Sequence, residues 1–81
     1  MKLPRDLSGK ELIVALKKLG YEVTRQKGSH VRLTTKLPQE IHHITIPNQT
    51  PIKIGTLNSI ITEISAKNEI PKNELLKILF N

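Results

Sequence analysis

Leu12, Ile13, Leu16 and Leu19 recur at three- and four-residue intervals, which predicts a helix with one apolar stripe. Ser8 stands ahead of the stripe and Glu11 follows it three residues later. That S-x-x-E spacing is a capping box, in which each residue's side chain satisfies the other's backbone N–H. Gly20, just past Leu19, suits the left-handed position that closes a helix. Lys10, Val14, Lys17 and Lys18 fall off the stripe, so the outward face is basic.

After Gly20 the period changes to two. Tyr21 and Val23 alternate with Glu22, Thr24 and Gln26, the pattern of a half-buried strand. "KGS" (27–29) reads as a turn, with Gly28 able to take positive φ. "HVRLT" (30–34) alternates again, Val31 and Leu33 inward, His30, Arg32 and Thr34 outward. "KLPQE" connects it to a third strand, "IHHITIP", which Pro47 ends. Pairing Thr34 with Ile41 sets Val31 opposite Ile44, Leu33 opposite His42, Arg32 opposite His43 and His30 opposite Thr45. Apolar positions then share one face, as a sheet with one buried face requires. His42 takes core-facing parity and reads as a satisfied or edge histidine. His43 reads as a cross-strand neighbour of Arg32 rather than as a catalytic group.

"NQTPIKIG" is a loop. From Gly55 or Thr56 to about Ala66, Leu57, Ile60, Ile61 and Ile64 predict a second helix. Pro71 suits the first turn of a short third one, with Leu75, Leu76, Ile78 and Leu79 as its apolar side. The order is α-β-β-β-α plus a C-terminal helix: an α+β fold, with a three-stranded antiparallel sheet covered by helices on one face. The other sheet face stays open and carries His30, Arg32 and Thr34.

The 81 residues make one domain, of a size that buries about 60–65% of its unfolded surface. Tyr21 and Phe80 are the whole aromatic complement, so the core is aliphatic. With no cysteine, disulfides and thiolate metal sites are excluded. No apolar run reaches the ~18 residues of a membrane span, and the start lacks the apolar stretch of a signal peptide. A cytoplasmic protein is expected, with no membrane partner.

The net charge of +6 is unevenly placed. Residues 1–36 hold nine Lys and Arg against three acidic residues; residues 37–81 hold four against four. A one-sided positive field fits a polyanionic partner such as nucleic acid.

Phosphate-loop and dinucleotide motifs are absent from the sequence. The acidic residues are scattered, which argues against paired-carboxylate or two-metal chemistry. Adjacent His42 and His43 point to opposite faces of a strand. No metal and no cofactor is expected. His30 remains, bracketed by Lys27 and Arg32 with Arg25 further along. An imidazole accepts or donates a proton near neutrality. Among cations, it suits RNA cleavage: it deprotonates a ribose 2′-hydroxyl, and the cations stabilise the phosphorane-like transition state. From residue types alone, an idle or merely phosphate-binding His30 remains open. Ser29 reads as a turn residue or phosphate contact. A DNA-reading regulator fits poorly, since helix 9–19 offers lysines but no Asn, Gln or Arg for base edges.

The stretch "SGKELIVALKKLGYEVTRQKGSHVRLT", with "ITIP" and "GTLNSII" after it, resembles the HicA toxins of type II toxin–antitoxin systems, over about residues 7–80. The resemblance implies a double-stranded-RNA-binding-domain-like α-β-β-β-α fold. It also implies a ribosome-independent mRNA interferase silenced by a HicB-like antitoxin. The family's catalytic histidine, that of G-S-H, falls on His30, and Gly28 and Ser29 match the same motif. Lys27, Arg32 and Arg25 are the expected RNA contacts around it, with Lys10, Lys17, Lys18 and Lys53 as outer ones. The alternative is a non-catalytic RNA-binding module. Many members carry a histidine two residues beyond the strand-ending proline; here Gln49 stands there, leaving the leaving-group acid unassigned. Lys53 alone represents the usual basic run before G-T-L, and Pro71 replaces a Ser or Thr cap.

Overall fold

A computed structural model describes residues 3–81; Lys2, counted among the cations above, lies outside them. Helix α1 (Gly9–Leu16) continues as a 3₁₀ turn over Lys17–Leu19. Strands β1 (Glu22–Lys27), β2 (His30–Lys36) and β3 (Ile41–Pro47) follow, then helices α2 (Ile54–Asn68) and α3 (Lys72–Phe80). The strands form one antiparallel sheet in the order β1-β2-β3. The expected α+β architecture with an open sheet face is present. Among the described residues no helix is long and apolar enough to cross a membrane.

The capping box closes as expected. The Ser8 N–H donates to Glu11 Oε1 and the Glu11 N–H to Ser8 Oγ, both at 3.0 Å. Gly20 ends the 3₁₀ turn at φ +83°. Leu12 and Leu16 from α1, Val31 and Leu33 from β2, and Ile44 and Ile46 from β3 are buried together. Leu57, Ile60, Ile61 and Ile64 from α2 and Leu75, Leu76 and Leu79 from α3 complete this core. Ile78, expected on the apolar side of α3, is 39% exposed, because it sits beyond the arc that Leu75, Leu76 and Leu79 bury.

Two features of the sheet differ from the expected pairing. Ile41 pairs with Lys36, not Thr34. The chain turns over the four residues Leu37–Glu40, where the Leu37 N–H donates to the Glu40 carbonyl at 2.8 Å. The shift is two residues, so parity survives while every partner changes. Arg32 faces Thr45, His30 faces Pro47, and His43 faces Thr34 rather than Arg32.

The second difference is in β1. Glu22 pairs with Thr34 and Val23 with Leu33, but Arg25 then pairs with Arg32 and Lys27 with His30. Thr24 is the extra residue of a β-bulge, which shifts the alternation by one position. Val23, expected inward, lies 46% exposed on this edge strand. Beyond the bulge, Arg25 and Lys27 share the open face with Arg32 and His30.

Candidate functional site

The β1–β2 hairpin turns on the two residues Gly28 and Ser29. Gly28 has φ +58°, which a two-residue turn of the II′ kind requires at its first position. Asn48, just after β3, donates its N–H to the Ser29 carbonyl at 2.6 Å. That segment is in turn held to α1: the Gly9 N–H donates to the Gln49 carbonyl at 2.9 Å. Gly9 is buried, and a Cβ there would collide with the Pro47 carbonyl and lie 2.9 Å from the Asn48 Cα. The helix start, the end of β3 and the G-S-H turn are therefore one packed unit, and His30 projects from it.

Arg25, Lys27, His30 and Arg32 line one open depression of about 600 Å³. His43 and Thr45 line it from β3, and Ser59, Ile60 and Glu63 from α2. Arg25 and Arg32 face each other directly across the β1–β2 ladder, a placement that costs stability when nothing lies between like charges. Among the described residues none of these cations forms an ion pair. Glu22 shares the face at the far end of β1, opposite Thr34, outside the depression. The site thus concentrates cations, and the carboxylate in its lining, Glu63, is bonded to His42 and not to them. Such a surface suits a phosphate-bearing ligand.

Hydroxyls order the rest of this face. Thr24 and Thr34 are hydrogen-bonded through their Oγ1 atoms at 2.7 Å, and Thr34 Oγ1 meets His43 Nδ1 at 2.8 Å. Sequence reasoning placed Thr34 on the open face but missed Thr45, which also lines the depression, and Lys36, at the far end of the same face of β2. The parity of β2 and β3 was the signal that would have found them.

The expected outer contacts are not gathered here. Lys10 and Lys18 line a separate apolar groove between α1 and α3, with Val14 and Phe80. Lys18 Nζ donates to the α3 carbonyls of Ile78 and Leu79 at 3.4 and 3.2 Å, a helix C-terminal cap. Lys17 lines a third hollow beside Gly20 and Tyr21. Lys53 is the exposed N-cap residue of α2 and does not line the depression.

His42 is only 4% exposed and fully hydrogen-bonded. Its Nε2 lies 2.8 Å from Glu63 Oε2 and its Nδ1 2.7 Å from the Tyr21 hydroxyl. Asn68 Nδ2 donates to that hydroxyl at 3.0 Å and to the Ile64 carbonyl at 2.9 Å. With Asn68 donating, the Tyr21 O–H is left to donate to Nδ1, and Nε2–H donates to the carboxylate. Burial pushes the Tyr21 phenol up; the Asn68 contact opposes this and the Glu63 charge adds to it. This histidine belongs to the core and not to the open face.

Comparison with curated proteins and with solved structures gives no match. Comparison with protein families gives one, described as HicA toxin of bacterial toxin-antitoxin, over residues 9–66. The match runs from the first residue of α1 through most of α2 and includes every residue that lines the depression. It stops short of α3, where the resemblance in sequence was expected to continue to about residue 80. With well over half of its length matched, the chain belongs to the HicA family, the toxins of bacterial toxin–antitoxin systems.

Proposed function

We propose that the chain is an endoribonuclease acting on mRNA, with His30 as the group that deprotonates the ribose 2′-hydroxyl. The observation that carries this reading is the placement of His30 on an open sheet face, among Arg25, Lys27 and Arg32, with no carboxylate paired to these cations among the described residues. An RNA phosphate enters the depression and relieves the repulsion between Arg25 and Arg32. His30 removes the 2′-hydroxyl proton, and the 2′-oxygen attacks the adjacent phosphorus. The bond from phosphorus to the 5′-oxygen breaks, leaving a 2′,3′-cyclic phosphate on one fragment. The departing 5′-oxygen takes its proton from the solvent that fills the open depression. Lys27 and Arg32 stabilise the charge on the pentacoordinate phosphorus. The nucleophile belongs to the substrate, so the route calls on no metal ion, and DNA is inert.

In the cell, a HicB-like antitoxin holds the toxin silent by covering this face. General acid–base help accounts for about 10²–10⁴-fold of rate. With one histidine assigned to the chemistry, the enzyme is slow, and slowness is tolerable in a toxin acting on an essential pool.

The test uses end-labelled RNA in EDTA, with wild type, His30→Ala and a 2′-O-methylated substrate. Wild type cleaves to cyclic-phosphate ends, while His30→Ala loses about 10²–10⁴-fold of rate and still binds RNA. The methylated RNA is bound and not cut. Binding without cleavage by wild type would identify a non-catalytic RNA-binding module instead. Cleavage that stops in EDTA would overturn the metal-free route.

A further inference from the structure

The depression that holds His30 does not stop at the open face. His43, Ile44 and Thr45 all line it, and consecutive strand residues point to opposite faces. Three in a row share one surface only along the free edge of the strand. Ser59, Ile60 and Glu63 line the same hollow, and their i, i+1, i+4 spacing is one side of α2. The hollow is therefore a channel between the β3 edge and α2.

A channel between an edge strand and a helix is the geometry in which an extended peptide adds to a sheet. The two sheet edges differ in how they are defended. β1 carries a bulge together with Arg25 and Lys27, the devices that keep an edge from pairing. β3 is regular over seven residues, Ile41–Pro47, has no bulge in its pairing with β2, and bears no Lys, Arg, Asp or Glu. Beyond its first residue, Lys67 Nζ donates to Glu40 Oε1 at 3.2 Å and ties α2 to the loop that leads into the strand.

We propose that β3 is a strand-addition site for an extended segment of the toxin's protein partner, with acidic residues toward the open face and apolar residues toward α2. The charge arrangement argues for that occupant. Arg32 faces Thr45 across the ladder, and Thr45 is short. A residue of an added strand opposite Thr45 lies two strand spacings, about 9.6 Å, from Arg32, which glutamate and arginine side chains together span. An added carboxylate would give the cation cluster the ion-pair partner that Glu63, bonded to His42, does not supply. On the other side of the added strand, an apolar residue opposite Ile44 would rest on Ile60. Bound there, the segment would occupy the channel continuous with the His30 site. Its inhibitory meaning rests on the ribonuclease reading, whereas the binding itself does not.

The test is binding of a synthetic heptapeptide alternating Glu and Val to the ¹⁵N-labelled chain, followed by amide shifts and hydrogen exchange. The counterpart alternates Lys and Val. The Glu peptide is expected to shift amides of residues 41–46 and protect those that face the free edge, at about 1 mM, and the Lys peptide to do neither. Thr45→Glu, on an exposed position, should weaken the Glu peptide at least about tenfold, about 1.4 kcal/mol, while the spectrum stays that of a folded protein. Shifts confined to residues 25–32 would mean simple ion binding and overturn the proposal, as would no shift at all. Protection of β3 without peptide, rising with protein concentration, would assign the edge to a second copy and overturn it too. No outcome depends on RNA cleavage, so strand addition and the ribonuclease reading can fail separately.

Discussion

Tyr21→Phe tests the buried polar chain beneath the sheet. The substitution keeps the ring, which is fully buried and packs edge-on to His42 with centroids 5.7 Å apart. It removes one oxygen with two hydrogen bonds, to His42 Nδ1 and Asn68 Nδ2. Asn68 is partly exposed and keeps its bond to the Ile64 carbonyl, so its loss is small. His42, 4% exposed, is left with a buried acceptor and no donor. Stranding such a group costs about 1–3 kcal/mol, less than the ~2–5 kcal/mol of truncating a core leucine to alanine. For a domain of this size it lowers Tm by about 5–20 °C. Urea denaturation followed by circular dichroism, on wild type, Tyr21→Phe, His42→Leu and the double variant, isolates the cause. Removing both partners relieves the stranding, so the double variant should be clearly more stable than the sum of the singles predicts. The pH dependence supplies an independent check. The folded phenol binds its proton more tightly than the unfolded one. Stability is therefore unaffected below about pH 10, the ordinary tyrosine value. It falls as pH rises beyond that, where the unfolded state ionises first. Tyr21→Phe should remove that part of the decline. A Tyr21→Phe protein as stable as wild type, or additive double-variant energetics, would refute the assigned bonding.

Four further variants probe other features of the fold. Gly9→Ala should lose about 1–3 kcal/mol by overpacking against Pro47 and Asn48 and slow RNA cleavage. Gly55→Ala, with open space at Cβ, should gain about 0.5–1 kcal/mol; thermal melts of the pair check the opposite signs. Ser8→Ala should cost about 0.5–2 kcal/mol of the α1 cap. The Ser8 backbone N–H first, and then its side chain, hold the Glu11 carboxyl below its ordinary 4.5. The Glu11 carboxylate's half of the box is thus full above that value and lost as pH falls below it; Ser8→Ala keeps the backbone N–H, so it should flatten an acid titration of stability only by the side-chain share. Arg25→Thr should raise unliganded stability by about 0.2–1 kcal/mol through relief of the Arg25–Arg32 opposition. The same variant should weaken RNA binding, measured by a salt-dependent titration.

The bulge at Thr24 shows where reading the sequence stopped short. Strict alternation put Arg25 and Lys27 on the side of Tyr21 and Val23. Two cations on a core face, with no carboxylate to meet them, contradict burial energetics, and that contradiction was legible as a change of face. The hairpin register was not legible in the same way. Apolar faces match equally well at a two-residue offset, because parity has a period of two. The turn over Leu37–Glu40 broke the tie and gave His43 to Thr34. Nor did spacing along the chain reveal that Lys18 caps α3 while Arg25 stands across from Arg32.

The sequence alone determined the element order, the capped first helix, the Gly28 turn, the aliphatic core and His30 as the residue of interest. Each of these rests on local periodicity or backbone preference, which neighbours in the chain specify. Tertiary structure decided which of the expected cations lie away from His30, which partners the buried His42 takes and which strand edge stays open. Those outcomes depend on register, on one inserted residue and on contacts between segments up to about sixty residues apart, which no local pattern encodes.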